Sequence, residues 1–231
     1  MTIYLWYFWS VLYDFHTHTF HSDGVLSPIE LIRRTVVQGY SAIAITDHVA
    51  VGSLARVIKE MSEDCALARA CWNILAIPGV EITHVPPQAI SETAKRAKDL
   101  GACIVVVHGE TPAEPVEKGT NLAAVKSVHV DILAHPGLFT DEEASLAAQN
   151  DIFLELTSRK GHSVANPHVA AVSQKAKARL LISSDAHDER DLLTSDSVET
   201  ILRNSKLNQQ QRHQIINDNP QHLIERVKKL L

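Results

Sequence analysis

"VLYDFHTHTFHSDG", residues 11–24, begins as an apolar stretch with strand character and ends as a run of imidazoles and carboxylates. In an extended chain residues two apart share a face, so His16 and His18 aim at one spot. Asp14 has the same parity and lies one step deeper, where a carboxylate would suit an imidazole N–H. Apolar residues first and ligand-type residues last puts the chemistry at the strand's carboxyl end, which is where parallel α/β folds assemble their sites.

The same order recurs along the chain. "AIAITDH" (42–48) ends in Asp47 and His48, "ILAIPGVEIT" (74–83) carries Glu81, and "ACIVVVHG" (102–109) ends in His108. "VDILAHPG" (130–137) presents His135, "IFLELTSR" (152–159) runs into Arg159, and "RLLISSDAH" (179–187) closes on Asp185 and His187. Amphipathic helices separate these strands. Ser27 and Glu30 form a capping-box pattern with Pro28 at the first helical position and Gly39 as the stop, and Thr140 and Glu143 repeat the box. Helices are also expected over about Ser53 to Cys71, Pro87 to Leu100, "NLAAVKS" (121–127) and "NPHVAAVSQKAKA" (166–178). The remainder is read as helical and surface-directed, ending in "NPQHLIERVKKLL" (219–231). Seven βα units in succession imply a parallel barrel, closed or nearly so, with a doubly wound open sheet as the alternative.

Composition narrows the function. The chain has 231 residues, 45% hydrophobic and 21% charged, as expected for one globular unit, here residues 11–231, preceded by an apolar aromatic extension over residues 1–10. The opening "MTIYLWYFWSVLY" is too short to span a bilayer and has neither a basic leader nor a cleavage site. It is read as an extra strand or plug at the barrel bottom, as the result of a start placed upstream, or as a membrane-surface anchor. A formal charge of -5 without a basic stripe argues against binding an extended nucleic-acid duplex. Three cysteines without C-x-x-C spacing support neither a disulfide framework nor a cysteine metal site, and fit a cytoplasmic protein.

Thirteen histidines are the anomaly. A lone H-x-H is weak, since histidines at strand ends often only cap polar groups. Repetition at equivalent strand ends changes that, because converging imidazoles and acids are costly to bury without a cation. His21 and His129 lack the strand-end position, His213 and His222 fall on terminal helices, and Trp72 reads as a core or rim aromatic. After the sixth strand "TSRKGHS" (157–163) offers Arg159 as a fork for phosphate, Lys160 as a point charge and His162 as a proton donor, against the plainer reading of a solvated turn. His84 on the rim and Glu110 after His108 are further candidates for substrate contact.

Taken in order, "HTHTFHSDG", "AITDH", "GVEIT", "VVHGE", "LAHPG" and "SSDAH" resemble the motifs of the PHP (polymerase and histidinol phosphatase) superfamily, from about Val11 to His187. The resemblance implies a distorted seven-stranded (β/α)7 barrel holding three divalent metal ions, with Zn, Mn or Fe suiting the mixed donors. It assigns His16, His18, Glu81 and Asp185 to the first ion. Glu81 bridges to a second ion completed by His108 and His135, and Asp23, His48 and His187 surround the third. All nine positions carry a competent ligand. Glu81, Asp185 and His187 are the residues assigned to catalysis. The implied activity is hydrolysis of a small phosphate ester, such as histidinol phosphate or a nucleotide monoester, by metal-activated hydroxide. The alternatives are C–N or lactone cleavage of the amidohydrolase kind, or a noncatalytic metal-binding module.

Overall fold

The computed structural model of the chain describes residues 11–231. Eight parallel strands appear in it: β1 (Leu12–Asp14), β2 (Tyr40–Ile45), β3 (His48–Val49), β4 (Leu75–Ile82), β5 (Ile104–His108), β6 (Ile132–Ala134), β7 (Phe153–Thr157) and β8 (Leu180–Ser183). Seven form the sheet in the order β1-β2-β4-β5-β6-β7-β8, and the short β3 pairs with β4 alone. The second expected strand is therefore interrupted: after Ile45 it leaves the sheet for two residues, then returns with His48 opposite Glu81.

Between the strands lie α1 (Pro28–Val37), α2 (Leu54–Cys71), α3 (Pro87–Asp99), α4 (Thr120–Lys126), α5 (Asp141–Gln149) and α6 (Asn166–Ala176). Three more helices, α7 (Ser195–Asn204), α8 (Gln209–His213) and α9 (Asn219–Val227), follow β8. Thr140 and Glu143 form the full capping box at α5, whereas at α1 only the Ser27 half is made, because Glu30 turns to Arg34.

An open doubly wound sheet would leave β1 and β8 apart. Here the chain beyond β1 meets the chain beyond β8: His18 N donates to Ala186 O at 2.8 Å and Asp185 N donates to His16 O at 2.9 Å. With the parallel bridge between Thr17 and Ala186, this brings the sheet nearly round into a barrel.

Two apolar layers flank the strands. One lies between sheet and helices, and the other, with Phe15, Ala42, Ala44, Ile77, Ile104, Val106, Ile132, Phe153 and Leu181, fills the barrel. Period-2 alternation then defines the inward face as Ile77-Gly79-Glu81, Ile104-Val106-His108, Phe153-Glu155-Thr157 and Leu181-Ser183-Asp185. Each inward row runs from hydrocarbon at the amino end to a polar group at the mouth.

One expectation is corrected at the other end. The last helix is not surface-directed: Leu223, Ile224 and Val227 of α9 pack into the interior layer and close the floor. Its apolar stripe faces residues that would otherwise open the barrel to water. The plug reading of the aromatic opening falls almost wholly on residues 1–10, outside the described residues.

Candidate metal centre and active site

The strand ends bring eight of the nine expected ligands into three groups whose donor atoms lie within 4.8 Å of one another. These are His16, Glu81 and His135; His16, His18 and Asp185; and His18, Asp23, His48 and His187. His16 Nε2 lies 3.3 Å from Glu81 Oε1, and His18 Nε2 lies 3.1 Å from Asp185 Oδ1. On the outer side Asp23 Oδ1 is 3.1 Å from His187 Nε2 and 3.5 Å from His48 Nε2. His108 stands apart from all three groups, its ring 4.5 Å from that of His135 and its Nε2 2.9 Å from Glu114 Oε2.

Of the six non-glycine residues with positive φ among the described residues, three lie here: His84 at 55°, His135 at 28° and Asp185 at 55°.

Acids and imidazoles crowd this mouth, most of them buried, and the titration of several is shifted. Burial and neighbouring imidazoles push His18 and His135 well below the usual histidine range. Burial also opposes charge on His16, but Glu155, Glu81 and Asp185 hold its pKa well above that range. Against its burial, Glu81 is held low by His16 and His48. Asp185 is raised, chiefly by burial. Burial likewise opposes ionisation of Asp23, yet hydrogen bonds from His187 and His48 pull its pKa far down.

The donor set fits divalent cations. Glu81 is wholly buried, yet its Oε1 has no hydrogen-bond partner, and the same holds for His18 Nδ1 and His135 Nδ1. An acid oxygen stranded among imidazole nitrogens is an expensive arrangement that a cation would relieve.

Residues behind the ligands orient them. The Glu155 carboxylate lies 2.8 Å from His16 Nδ1 and accepts from His135 N at 3.0 Å, tying ligands of two strand ends together. Asp14 was expected to serve an imidazole; instead it accepts from the backbone of His16 and Ser184, bracing the closure between β1 and β8. Its burial raises its pKa to about 7. Glu155 went unmarked in the sequence reading, although a lone acid at inward parity in "IFLELT" was a usable signal. Asp47 accepts from Thr19 and Ser22 through backbone and side chain, shaping the loop that carries Asp23.

The candidate substrate residues divide. Arg159, Lys160 and His162 line a cavity of about 650 Å³ beside the ligands. Arg159 leans on Asp185, with Nε 3.5 Å from Oδ2, while Lys160 is exposed. His162 is buried with its ring 4.4 Å from His135, and burial pushes its pKa down. His84 lines a second opening of about 420 Å³ with Asp23, His48 and Thr83. The Glu110 carboxylate points elsewhere, accepting from Gly119 N at 2.8 Å and Asn121 N at 3.0 Å.

Fold and site together define the class: a parallel βα barrel with a candidate metal centre at its carboxyl-end mouth. Residues 14–150 match the model of the PHP domain, and the chain belongs to that family. It is 43% identical over 216 residues to an uncharacterized protein of Methanocaldococcus jannaschii, covering 93% of this chain and 99% of that one. A probable phosphatase of Caldanaerobacter subterraneus subsp. tengcongensis is 30% identical, with 75% of each chain covered. Among solved structures, histidinol phosphate phosphatase from Lactococcus lactis, complexed with zinc, L-histidinol and phosphate, superposes with a TM-score of 0.62. The match covers 85% of this chain and 94% of that one at 14% identity, a likeness of fold.

Proposed function

We propose that the protein is a metal-dependent phosphoesterase acting on a small phosphate ester. The observation that carries this reading is the meeting of the acid and imidazole cluster with an arginine-lined cavity at one mouth of the barrel. His16, His18, Glu81 and Asp185 would hold one ion, Glu81, His108 and His135 a second, and Asp23, His48 and His187 a third, with Glu81, Asp185 and His187 nearest the chemistry. Bound divalent cations, Zn, Mn or Fe by donor type, supply Lewis acidity toward phosphoryl oxygens and acidify water.

The chain's own groups do the rest. Arg159, held beside Asp185, is placed to turn its fork onto phosphate oxygens, and Lys160 adds a point charge at the cavity edge. His162, on the inner wall beside His135, is the proposed proton donor to a leaving oxygen; burial disfavours its charged form, so that role rests on its position rather than on its titration. His84 lies across the mouth, on the side of Asp23. The relative named as a probable phosphatase supports the reaction class, and the histidinol phosphate phosphatase likeness supports a small substrate.

The test is a panel of phosphomonoesters, phosphodiesters, amides and lactones offered to protein reconstituted with manganese or zinc. Hydrolysis of phosphate esters, lost in His16→Ala and Glu81→Gln, is the expected result. Turnover confined to amides or lactones would overturn the proposal, as would none on any panel member.

A further inference from the structure

The loop after β5 carries a carboxylate that none of the nine expected positions includes. Glu110 closes the base of this loop by accepting from Gly119 N and Asn121 N. Asn121 in turn donates to Pro136 O at 2.8 Å, and Glu110 N donates to Asn121 Oδ1 at 2.9 Å. Gly137, at φ 66°, lets the next strand exit press against the same base, since a Cβ there would stand 2.2 Å from Glu110 O. Residues 111–118 therefore leave and return to a pinned root, with Ala113 and Glu114 on the wall of the cavity of about 650 Å³. Glu114 is the residue that lines both cavities among the described residues.

Its contact with His108 has a specific chemistry. His108 Nδ1 lies 3.1 Å from Gly109 O, and only an N–H can face a carbonyl at that distance. In the neutral ring this leaves Nε2 as a bare lone pair, and 2.9 Å away it meets another acceptor, Glu114 Oε2. Two acceptors so close need a cation or a proton between them. The same arrangement recurs across the mouth: His187 Nδ1 lies 3.0 Å from Asp185 O, and its Nε2 faces Asp23 Oδ1 at 3.1 Å. There the pair belongs to a group with metal-ligand spacing that includes His18 and His48.

We infer that Glu114 is a metal ligand, the partner of His108 as Asp23 is the partner of His187. The inference rests on the metal-dependent reading of the site, and adds a protein donor beside His108 on the wall of the cavity that holds Arg159 and His162. His108 stands outside the three tight groups, and the acid its Nε2 meets is Glu114, whose side chain is 46% exposed.

The experiment measures metal rather than turnover. Wild type, Glu114→Gln and Glu114→Ala are loaded with Mn2+, and the bound ions per chain and their release to a competing chelator are followed. Glu117→Gln, on the same loop and exposed, is the control. Loss of one ion per chain, or at least about tenfold weaker retention of one ion, in both Glu114 variants with Glu117→Gln unchanged is expected. Thermal unfolding in excess chelator should be the same for all four proteins, which separates a lost ligand from a damaged fold. Unchanged stoichiometry and retention in both Glu114 variants would overturn the inference, and would mean that a proton fills the gap. Failure of wild type to bind Mn2+ at all would instead sink the metal-dependent reading beneath it.

Discussion

At the scale of single residues, the site depends on side chains that do not themselves face the mouth. Glu155 is the clearest case, since one carboxylate fixes the His16 ring and anchors the turn that bears His135. Glu155→Gln preserves the shape and an acceptor but removes the charge that keeps His16 Nδ1–H engaged and Nε2 bare. Metal affinity should fall by about 10–100-fold while the fold survives, as read by chelator competition. Wild-type affinity in that variant would remove Glu155 from the centre. The ligands' H-x-H and D-x-H spacings were legible because parity is a local property of extended chain. Asp14 misled for the same reason: parity aligned it with His16 and His18, but its carboxylate accepts from the backbone of His16 and Ser184.

Elements show a division of labour between the two ends of the barrel. The floor is held by α9, whose Leu223 is fully buried, and by a polar network beneath it. Asp131 accepts from Arg226 at 2.6 Å, from Lys98 at 2.5 Å and from Val105 N at 2.8 Å. Leu223→Ala should cost about 2–5 kcal/mol in denaturant unfolding, whereas the exposed Leu230→Ala should fall within about 0.5 kcal/mol of wild type. Equal losses in the two would mean that α9 is not the plug. Asp151 belongs to the same network, paired with Arg179, His222 and Arg226. Burial opposes its charge, but hydrogen bonds from His222 and Arg179 hold its pKa below the ordinary value of 3.8. Folding thus favours the ionised form, so its contribution is complete above the unfolded pKa and disappears as pH falls through the lowered folded value. Asp151→Asn should lose stability at neutral pH and lose less of it on acidification than wild type, as read by unfolding midpoints across that range. A parallel shift at every pH would contradict the assignment. The amphipathic pattern located α9, but no periodicity says which surface an apolar stripe meets.

For the whole molecule, the nine candidate ligands come from six strand ends or the loops beside them, and only barrel closure makes them neighbours. Folding without cations crowds acids and imidazoles whose polar atoms are left without partners. Chelation should therefore lower the unfolding temperature. Restoring zinc or manganese at about a hundredfold over its dissociation constant should raise it by about 5–10 °C for a chain of this size, read by calorimetry. An unfolding temperature indifferent to chelator would argue against metal in the native fold. No helix among the described residues is long and apolar enough to cross a membrane. By itself the sequence determined the order of strands and helices, the carboxyl-end placement of the polar groups and the family, because each is written in local periodicity and short motifs. The tertiary structure alone decided that β1 and β8 meet, that α9 seals the floor, that Glu155 stands behind His16 and that Glu114 reaches His108. Those contacts join residues far apart in the chain, and their partners are chosen by how the barrel curls and where its loops are pinned, which no local pattern encodes.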